Sequence, residues 1–133
     1  QRGVLICELK PTSLSTPLLF LCTHLDHRKN EKERLASAKR INELIATQKG
    51  APEKSAGHHK NTRDSDVLKT IPTKWKIVNE KELPTIPVDK PKRQIDFILC
   101  RPANRWKTVE IRVLSEATAS DHRAIFAVLE LTR

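Results

Sequence analysis

A chain of 133 residues with 38% hydrophobic and 31% charged residues is long enough to bury one core, and its composition is that of a folded protein. No apolar run approaches the roughly 20 residues needed to cross a bilayer, which excludes a membrane-spanning segment. Lys and Arg outnumber Asp and Glu by 25 to 16, and the resulting charge of +9 favours anionic partners such as nucleic acid or phosphorylated small molecules. The alternative is that these charges only solvate helix faces and loops.

The first 48 residues predict two strands and a helix. Residues 3–9 and 17–23 are short β-rich runs separated by Pro11 and small polar residues, which predicts a hairpin of two buried strands. From Glu31 to about Gln48, apolar residues recur at helical spacing, and Asn30 is a candidate N-cap. Gly50 and Pro52 then stop the helix.

The rest of the chain alternates irregular segments with strands. Residues 49–63 have almost no apolar content, and no strand is predicted there. A short helix is predicted from residue 64 or 65 to 71, then a brief extended segment at residues 75–78 and a loop that contains three prolines. Three further strands are predicted at residues 94–100, 106–114 and 123–131. The predicted fold class is α/β.

The three cysteines indicate the redox environment. Cys7, Cys22 and Cys100 are widely spaced and each is set among apolar residues, so we interpret them as small reduced core residues. A reducing compartment, and therefore a cytoplasmic location, is expected.

Three motifs follow one another along the chain: THLDHR at residues 23–28, IDFIL at 95–99 and SDH at 120–122. Each is weak alone, because a single histidine is most often structural and an aspartate often caps a loop or pairs within a sheet. Attack of water on a phosphodiester needs an imidazole near phosphorus, carboxylates for a divalent cation and cationic donors. The three motifs together supply these residue types.

In this order the motifs resemble the later motifs of the endonuclease/exonuclease/phosphatase superfamily, over nearly the whole chain. The resemblance implies a single domain, residues 1–133, equivalent to the C-terminal half of that fold. It implies half of a β-sandwich with a mixed, mainly antiparallel sheet, flanked by one long and one short helix. Mg²⁺ is the cofactor that the resemblance implies.

The resemblance also implies roles for individual residues. His24 would contact the scissile phosphate, and Asp96 would orient the catalytic His122. Asp121 would bind or position the metal. Two further residues, Arg28 and Arg34, would add phosphate contacts. We predict that the side chains of Asp96 and His122 lie within about 2.6–3.2 Å, the reach of a hydrogen bond, or one water farther apart.

The sequence departs from the family pattern in two respects. Where the family has a GD-x-N motif, with an Asp that activates water and an Asn that holds the phosphate, His58 and Lys60 stand instead. The apolar strand that should precede this motif is replaced by the polar residues 51–55. The family's first half, with a metal-binding Glu and an Asn, has no counterpart in these residues. The chain starts at Gln1 and has no Met, so a fragment, a partner that supplies the missing layer, and a protein that has lost activity all stay open.

Three functions are consistent with these observations. The first is a phosphodiester or phosphomonoester hydrolase-like domain in a truncated or inactive form, with a phosphate-containing ligand or nucleic acid as partner. The second is a non-catalytic basic binding or assembly module that forms a homo-oligomer through an exposed sheet face. The third is a zinc-type hydrolase built from four histidines, which have the right donor atoms but no established spacing. These are His24, His58, His59 and His122.

Overall fold

The computed structural model describes residues 3–15, 17–25, 30–47, 53–58, 70 and 75–132, with the backbone alone at 53–58. Within these residues, one α-helix of several turns, α1 (Lys32–Ala46), and a short 3-10 helix (Ala103–Arg105) accompany seven strands, so the predicted α/β class is confirmed. The strands are β1 (Val4–Leu9), β2 (Leu18–His24), β3 (Glu53–His58), β4 (Lys76–Ile77), β5 (Asp96–Arg101), β6 (Trp106–Val113) and β7 (Ile125–Leu131). The second predicted helix falls almost entirely outside the described residues. Neither the length nor the hydropathy of the described helix suffices to cross a bilayer.

The larger sheet has five strands in the order β1-β2-β3-β5-β4. β1 and β2 form the predicted hairpin, with antiparallel partners from Val4 and Thr23 to Leu9 and Leu18. β2 and β3 run parallel, and α1 lies in the long connection that a parallel pair requires. β5 is antiparallel to both of its neighbours, β3 and β4. This order brings the last residues of β2 and β3 and the first residue of β5 side by side, at one end of the strands of the larger sheet.

The strand β3 corrects the sequence prediction, which placed no strand between residues 49 and 63. Its six residues, EKSAGH, have neither an apolar run nor a regular alternation, so no pattern in them indicates a strand. In the fold, β2 pairs with one side of β3 and β5 with the other, through residues Glu53 to His58. The neighbouring strands therefore specify β3 by satisfying its backbone groups, whatever side chains it carries.

The helix α1 is amphipathic and covers one face of the larger sheet. Its buried apolar residues Ala38, Ile41 and Ile45 recur at helical spacing and join a core that includes Leu21, Phe97 and Leu99 from β2 and β5. Asn30, the predicted N-cap, accepts a hydrogen bond at 3.0 Å from the backbone N–H of Lys32, although the backbone geometry places the cap at Glu31.

The strands β6 and β7 form a second, two-stranded antiparallel sheet. Trp106 is buried with Leu18, Val78 and Cys100, and several half-buried residues of the second sheet pack against this cluster. These are Ile111, Ala127, Leu129 and Leu131. Because strand residues alternate between faces, Phe126 and Val128 point away from the cluster and are exposed. Val109 is also exposed, and it lies at a register shift between Thr108 and Glu110 that interrupts the alternation of β6.

Two predictions about burial are corrected near the N-terminus. β1 was expected to be a buried strand, but Leu5 is 65% and Leu9 45% exposed. β1 is an edge strand, and the cluster against which the second sheet packs contains no residue of β1. Of the cysteines, Cys100 is buried, Cys7 is half-buried and Cys22 is exposed, so Cys22 is not a core residue. All three are free thiols.

Candidate active site

The three motifs meet at one end of the strands of the larger sheet. His24, the last residue of β2, pairs in register with His58, the last residue of β3, and His58 in turn pairs with Asp96, the first residue of β5. Neighbouring strands are about 4.8 Å apart, so the backbones of His24 and Asp96 are separated by roughly 10 Å. Residues in register point to the same face of a sheet. His58 thus occupies a central register position in this row, while its side chain lies outside the described part of the structure.

A carboxylate–imidazole pair forms the centre of the site. One carboxylate oxygen of Asp96 lies 2.9 Å from Nδ1 of His122, so the predicted contact is present. Both side chains are largely shielded, at 16% exposure for Asp96 and 27% for His122. A carboxylate only accepts hydrogen bonds, so Nδ1 must carry the proton. In the neutral ring, Nε2 then holds the lone pair and is the atom that can accept or deliver a proton.

Asp121 differs from Asp96 in its exposure. Its side chain is 88% exposed, and one of its oxygens lies 3.9 Å from Nε2 of His122, beyond hydrogen-bond distance. The hydroxyl of Ser120 lies 3.4 Å from the same carboxylate. Asp121 therefore presents oxygen atoms beside the reactive nitrogen of the carboxylate–imidazole pair, as a ligand to a hard cation would.

The metal expected from the resemblance needs more than this one carboxylate. Within the described residues, no group of three or more His, Cys, Asp or Glu side chains is arranged to hold a metal ion. Asp96 is already engaged with His122. Mg²⁺ commonly takes one or two protein carboxylates and completes its shell with water and phosphate oxygens. The described residues thus supply one candidate Mg²⁺ ligand, Asp121, and do not form a complete site.

His24 is held by its own chain. Its Nδ1 lies 2.9 Å from the backbone carbonyl oxygen of Leu25, which can only accept, so Nδ1–H is the donor. This contact fixes the ring at the end of β2, on the solvent-facing side of the strand, because Thr23 before it is buried and strand residues alternate. A ring held in this way can direct Nε2 toward an anion.

The structure treats the other predicted residues differently. Arg28 and Lys60 lie outside the described residues, as does His59 of the zinc hypothesis. Arg34 is buried on α1, at 5% exposure, and its guanidinium donates a 3.2 Å hydrogen bond to Glu31. This burial does not favour the phosphate contact predicted for Arg34.

The loop of residues 83–93, for which the sequence predicts only a proline-containing loop, forms hydrogen bonds with both segments that carry the site. The buried Thr85 accepts a hydrogen bond at its hydroxyl from the Ile95 N–H, and its carbonyl accepts one from the Arg123 N–H. The buried Gln94 donates to the carbonyl of Asp96 at 2.9 Å. The only signal in the sequence was position, since Gln94 directly precedes the IDFIL motif and Arg123 directly follows SDH.

The turn before the SDH motif is organised by Glu116. The Thr118 N–H donates to its carboxylate at 2.6 Å. This hydrogen bond, from the backbone of Thr118, is the main cause that lowers the pKa of Glu116 below its ordinary value. Glu116 therefore stays ionised to lower pH than a free glutamate, and the contact weakens only as the pH falls through that lowered pKa.

A cavity of about 290 Å³ lies between α1 and the β1–β2 hairpin, on the helix-covered side of the sheet. Thr23, Leu25 and Ile41 contribute to its mainly apolar lining, with Glu33 and Arg40 at its polar side. Because Thr23 and His24 point to opposite faces of β2, this cavity is separate from the candidate active site.

The fold is similar to part of the fold of several solved structures. An endonuclease/exonuclease/phosphatase from Bacteroides vulgatus superposes with a TM-score of 0.83 at 24% identity, covering 98% of this chain and 56% of that one. The mannosyl-6-phosphatase Bt3783 of Bacteroides thetaiotaomicron superposes with a TM-score of 0.84 at 18% identity, covering 96% and 57%. D. rerio TDP2, complexed with a single-strand DNA product, gives a TM-score of 0.74 at 20% identity, covering 97% and 62%.

These similarities bear out the family resemblance at the level of fold. The chain spans a little over half the length of each of these three structures. In contrast to the structures, no protein-family profile matches the sequence, and no curated protein matches it either.

Proposed function

We propose that this chain is a phosphate-ester hydrolase-like domain of the endonuclease/exonuclease/phosphatase type, in a form that binds phosphate but does not turn over esters by itself. The observation that carries the proposal is the carboxylate–imidazole pair of Asp96 and His122. Asp96 lies in register with His24 across β3, at the same end of the strands. The chain covers a little over half of each similar structure, which supports a half-fold, and the motif order places it in the C-terminal half. The two described sheets, which pack through the cluster around Trp106, support half of a β-sandwich.

The pair has a defined chemical use in this proposal. Asp96 holds the His122 ring in the tautomer that leaves Nε2 as the proton acceptor, and its negative charge stabilises the imidazolium once Nε2 is protonated. A protonated His122 can donate from Nε2 to a phosphate oxygen. His24 supplies a second imidazole at the same end of the strands, about two strand spacings from Asp96. These two rings are the phosphate-binding groups that we assign.

Catalytic turnover requires groups that the described residues do not provide together. A divalent cation would supply Lewis-acid stabilisation of the phosphate when bound, and Asp121 is the residue that would contribute to holding it. The position that the family gives to a water-activating aspartate is His58, and an imidazole is a poor ligand for a hard cation such as Mg²⁺. Loss of one member of a catalytic group typically costs orders of magnitude in rate.

We expect the purified chain to cleave bis-nitrophenyl phosphate and plasmid DNA at background rates with Mg²⁺ or Mn²⁺, while inorganic phosphate still shifts the ring NMR signals of His24 and His122. The His122→Ala variant should lose the phosphate-dependent shift at His24, because the second anion ligand is gone. Lys107→Ala is the control, since that exposed lysine lies on β6 and pairs with Glu130. It should bind phosphate as the parent does.

Two results would overturn parts of this proposal. Robust metal-dependent cleavage that His122→Ala abolishes would show that the chain is an active enzyme. Phosphate that leaves both histidine signals unmoved would remove the site itself. The double change His58→Asp with Lys60→Asn restores the family's GD-x-N pattern. It is expected not to restore cleavage, because the metal-binding Glu and the Asn of the family's first half would still be lacking.

A second function, an assembly module, is favoured by the exposed apolar residues of β1. Leu5 and Leu9 lie on the same face of an edge strand, and such faces are commonly covered by another chain. If the chain forms a homo-oligomer through this face, its mass by light scattering should exceed one chain, and Leu5→Lys should reduce it to one. Val109→Lys, on the exposed face of β6, should leave the mass unchanged. A one-chain mass for the parent protein rejects this function.

A further inference from the structure

We infer that Thr85 and Arg123 are positioning residues for the carboxylate–imidazole pair, acting through the loop of residues 83–93. The inference deepens the proposed function and rests on it for the chemical use of the pair, but the geometry that carries it is independent of any ligand. Neither residue belongs to the three motifs. Thr85 contacts the backbone of Ile95, just before Asp96, and the backbone of Arg123, just after His122. Arg123 in turn contacts the backbone of the loop.

The backbone on both sides of His122 is tied to this loop. The carbonyl of Asp121 accepts a 3.0 Å hydrogen bond from the Val88 N–H. The N–H of Arg123 donates a 2.8 Å hydrogen bond to the carbonyl of Thr85. The two peptide groups that flank His122 are therefore both held, which restricts the direction in which its side chain leaves the backbone.

The side chain of Arg123 strengthens the same connection. Its Nε donates to the carbonyl of Val88 at 2.7 Å, and its Nη2 donates to the carbonyl of Asp89 at 3.3 Å. The loop closes on itself through Ile86 and Arg93, whose backbones exchange hydrogen bonds and form a β-bridge. Arg123 thus holds the SDH segment against a loop with internal order of its own.

Thr85 connects this loop to the other half of the pair. It is fully buried, and its hydroxyl accepts a hydrogen bond at 3.3 Å from the N–H of Ile95, the residue before Asp96. Its carbonyl holds Arg123, the residue after His122. One buried residue therefore contacts both backbone segments that carry the pair, and we infer that it sets the 2.9 Å separation of their side chains.

The tautomer of His122 reports this positioning directly. The Asp96 carboxylate favours the proton on Nδ1, whereas an imidazole without such a partner samples both neutral tautomers. The ring ¹⁵N signals of neutral histidine distinguish the two forms, and His122→Gln identifies which signals belong to this residue. We expect the neutral ring of His122 in the parent protein to show the Nδ1–H form.

The variants separate positioning from general stability. Thr85→Val, which removes the hydroxyl at nearly constant shape, should shift the His122 signals toward a mixture of tautomers, and Thr85→Ser should restore the parent signals. Arg123→Met, which removes the two side-chain donors, should shift them in the same direction. Thr108→Val is the control, because that hydroxyl also bonds backbone, donating to the Val78 carbonyl at 3.1 Å. It should leave the His122 signals unchanged.

The inference is wrong if His122 keeps the Nδ1–H form in both Thr85→Val and Arg123→Met, even if both variants melt at lower temperature. If Thr85→Val does not fold, Arg123→Met decides the matter, because Arg123 is only half-buried. Phosphate is absent from this experiment. Failure of the inference is therefore distinguishable from failure of the proposed function, which the phosphate titration tests.

Discussion

Replacing Phe97 with alanine should lower the free energy of unfolding by about 3–5 kcal/mol, the usual cost of removing a buried aromatic side chain. Phe97 is 1% exposed and lies on β5 in the core between the larger sheet and α1, with Leu99 and Ile45 in the same cluster. Domains of this kind are stable by roughly 5–15 kcal/mol, so the variant should unfold at much lower denaturant concentration. Urea denaturation followed by circular dichroism measures the effect.

The matched control is Phe126→Ala, the same substitution on β7. Phe126 is 38% exposed, and its ring contacts the guanidinium of Arg112, whose central carbon lies 4.9 Å from the ring centre. Losing that contact should cost about 1 kcal/mol or less. Equal destabilisation by the two substitutions would mean that the outer face of the second sheet is covered in solution.

Replacing Gln94 with leucine should destabilise the protein by about 2–4 kcal/mol, because it leaves several buried polar groups without partners. Gln94 is 1% exposed, and its amide oxygen accepts from the Leu83 N–H and the Asn79 side chain, each at 2.9 Å. Its amide nitrogen donates to the Asp96 carbonyl. Denaturation of Asn104→Leu, an exposed amide, is the control and should change stability by no more than about 0.5 kcal/mol.

The pairing of Gln94 with Asn79 makes a further distinction measurable. The two buried amides bond each other in both directions, at 2.9 and 3.3 Å. In the double variant, with leucine at both positions, neither amide is left facing an apolar partner, so its destabilisation should be smaller than the sum of the two single effects. Additive effects would show that the amides act independently.

The elements that the sequence predicted well are those with a strong internal pattern. α1 has apolar residues at helical spacing, and the hairpin of β1 and β2 is bounded by proline and small polar residues, so their positions were predicted to within two residues. β3 has no such pattern, because a strand between two others needs only backbone partners. The exposure of β1 was missed for a related reason, since the sequence does not show which strand lies at the edge of the sheet.

The candidate site was predicted in part. The Asp96–His122 contact was predicted because the three motifs resemble those of a family whose fold places these two residues side by side. The buried contacts of Thr85 and Gln94 could not be read in the same way, since a threonine or glutamine in a loop is usually exposed. Burial of these residues depends on how residues 83–93 fold back on β5, which is a long-range property.

The central position of β3 also bears on the order in which the protein folds. A strand that pairs in parallel with β2 across α1, and antiparallel with the distant β5, gains none of its backbone hydrogen bonds from sequence neighbours. Such non-local pairing must overcome chain entropy before any contact repays it, which slows folding. With no apolar stripe to collapse early, β3 should become protected against amide hydrogen exchange only after the β1–β2 hairpin and β5 have formed. The end of the sheet that carries His24 and Asp96 would therefore be completed late, when the polar strand β3 pairs with β2 and β5.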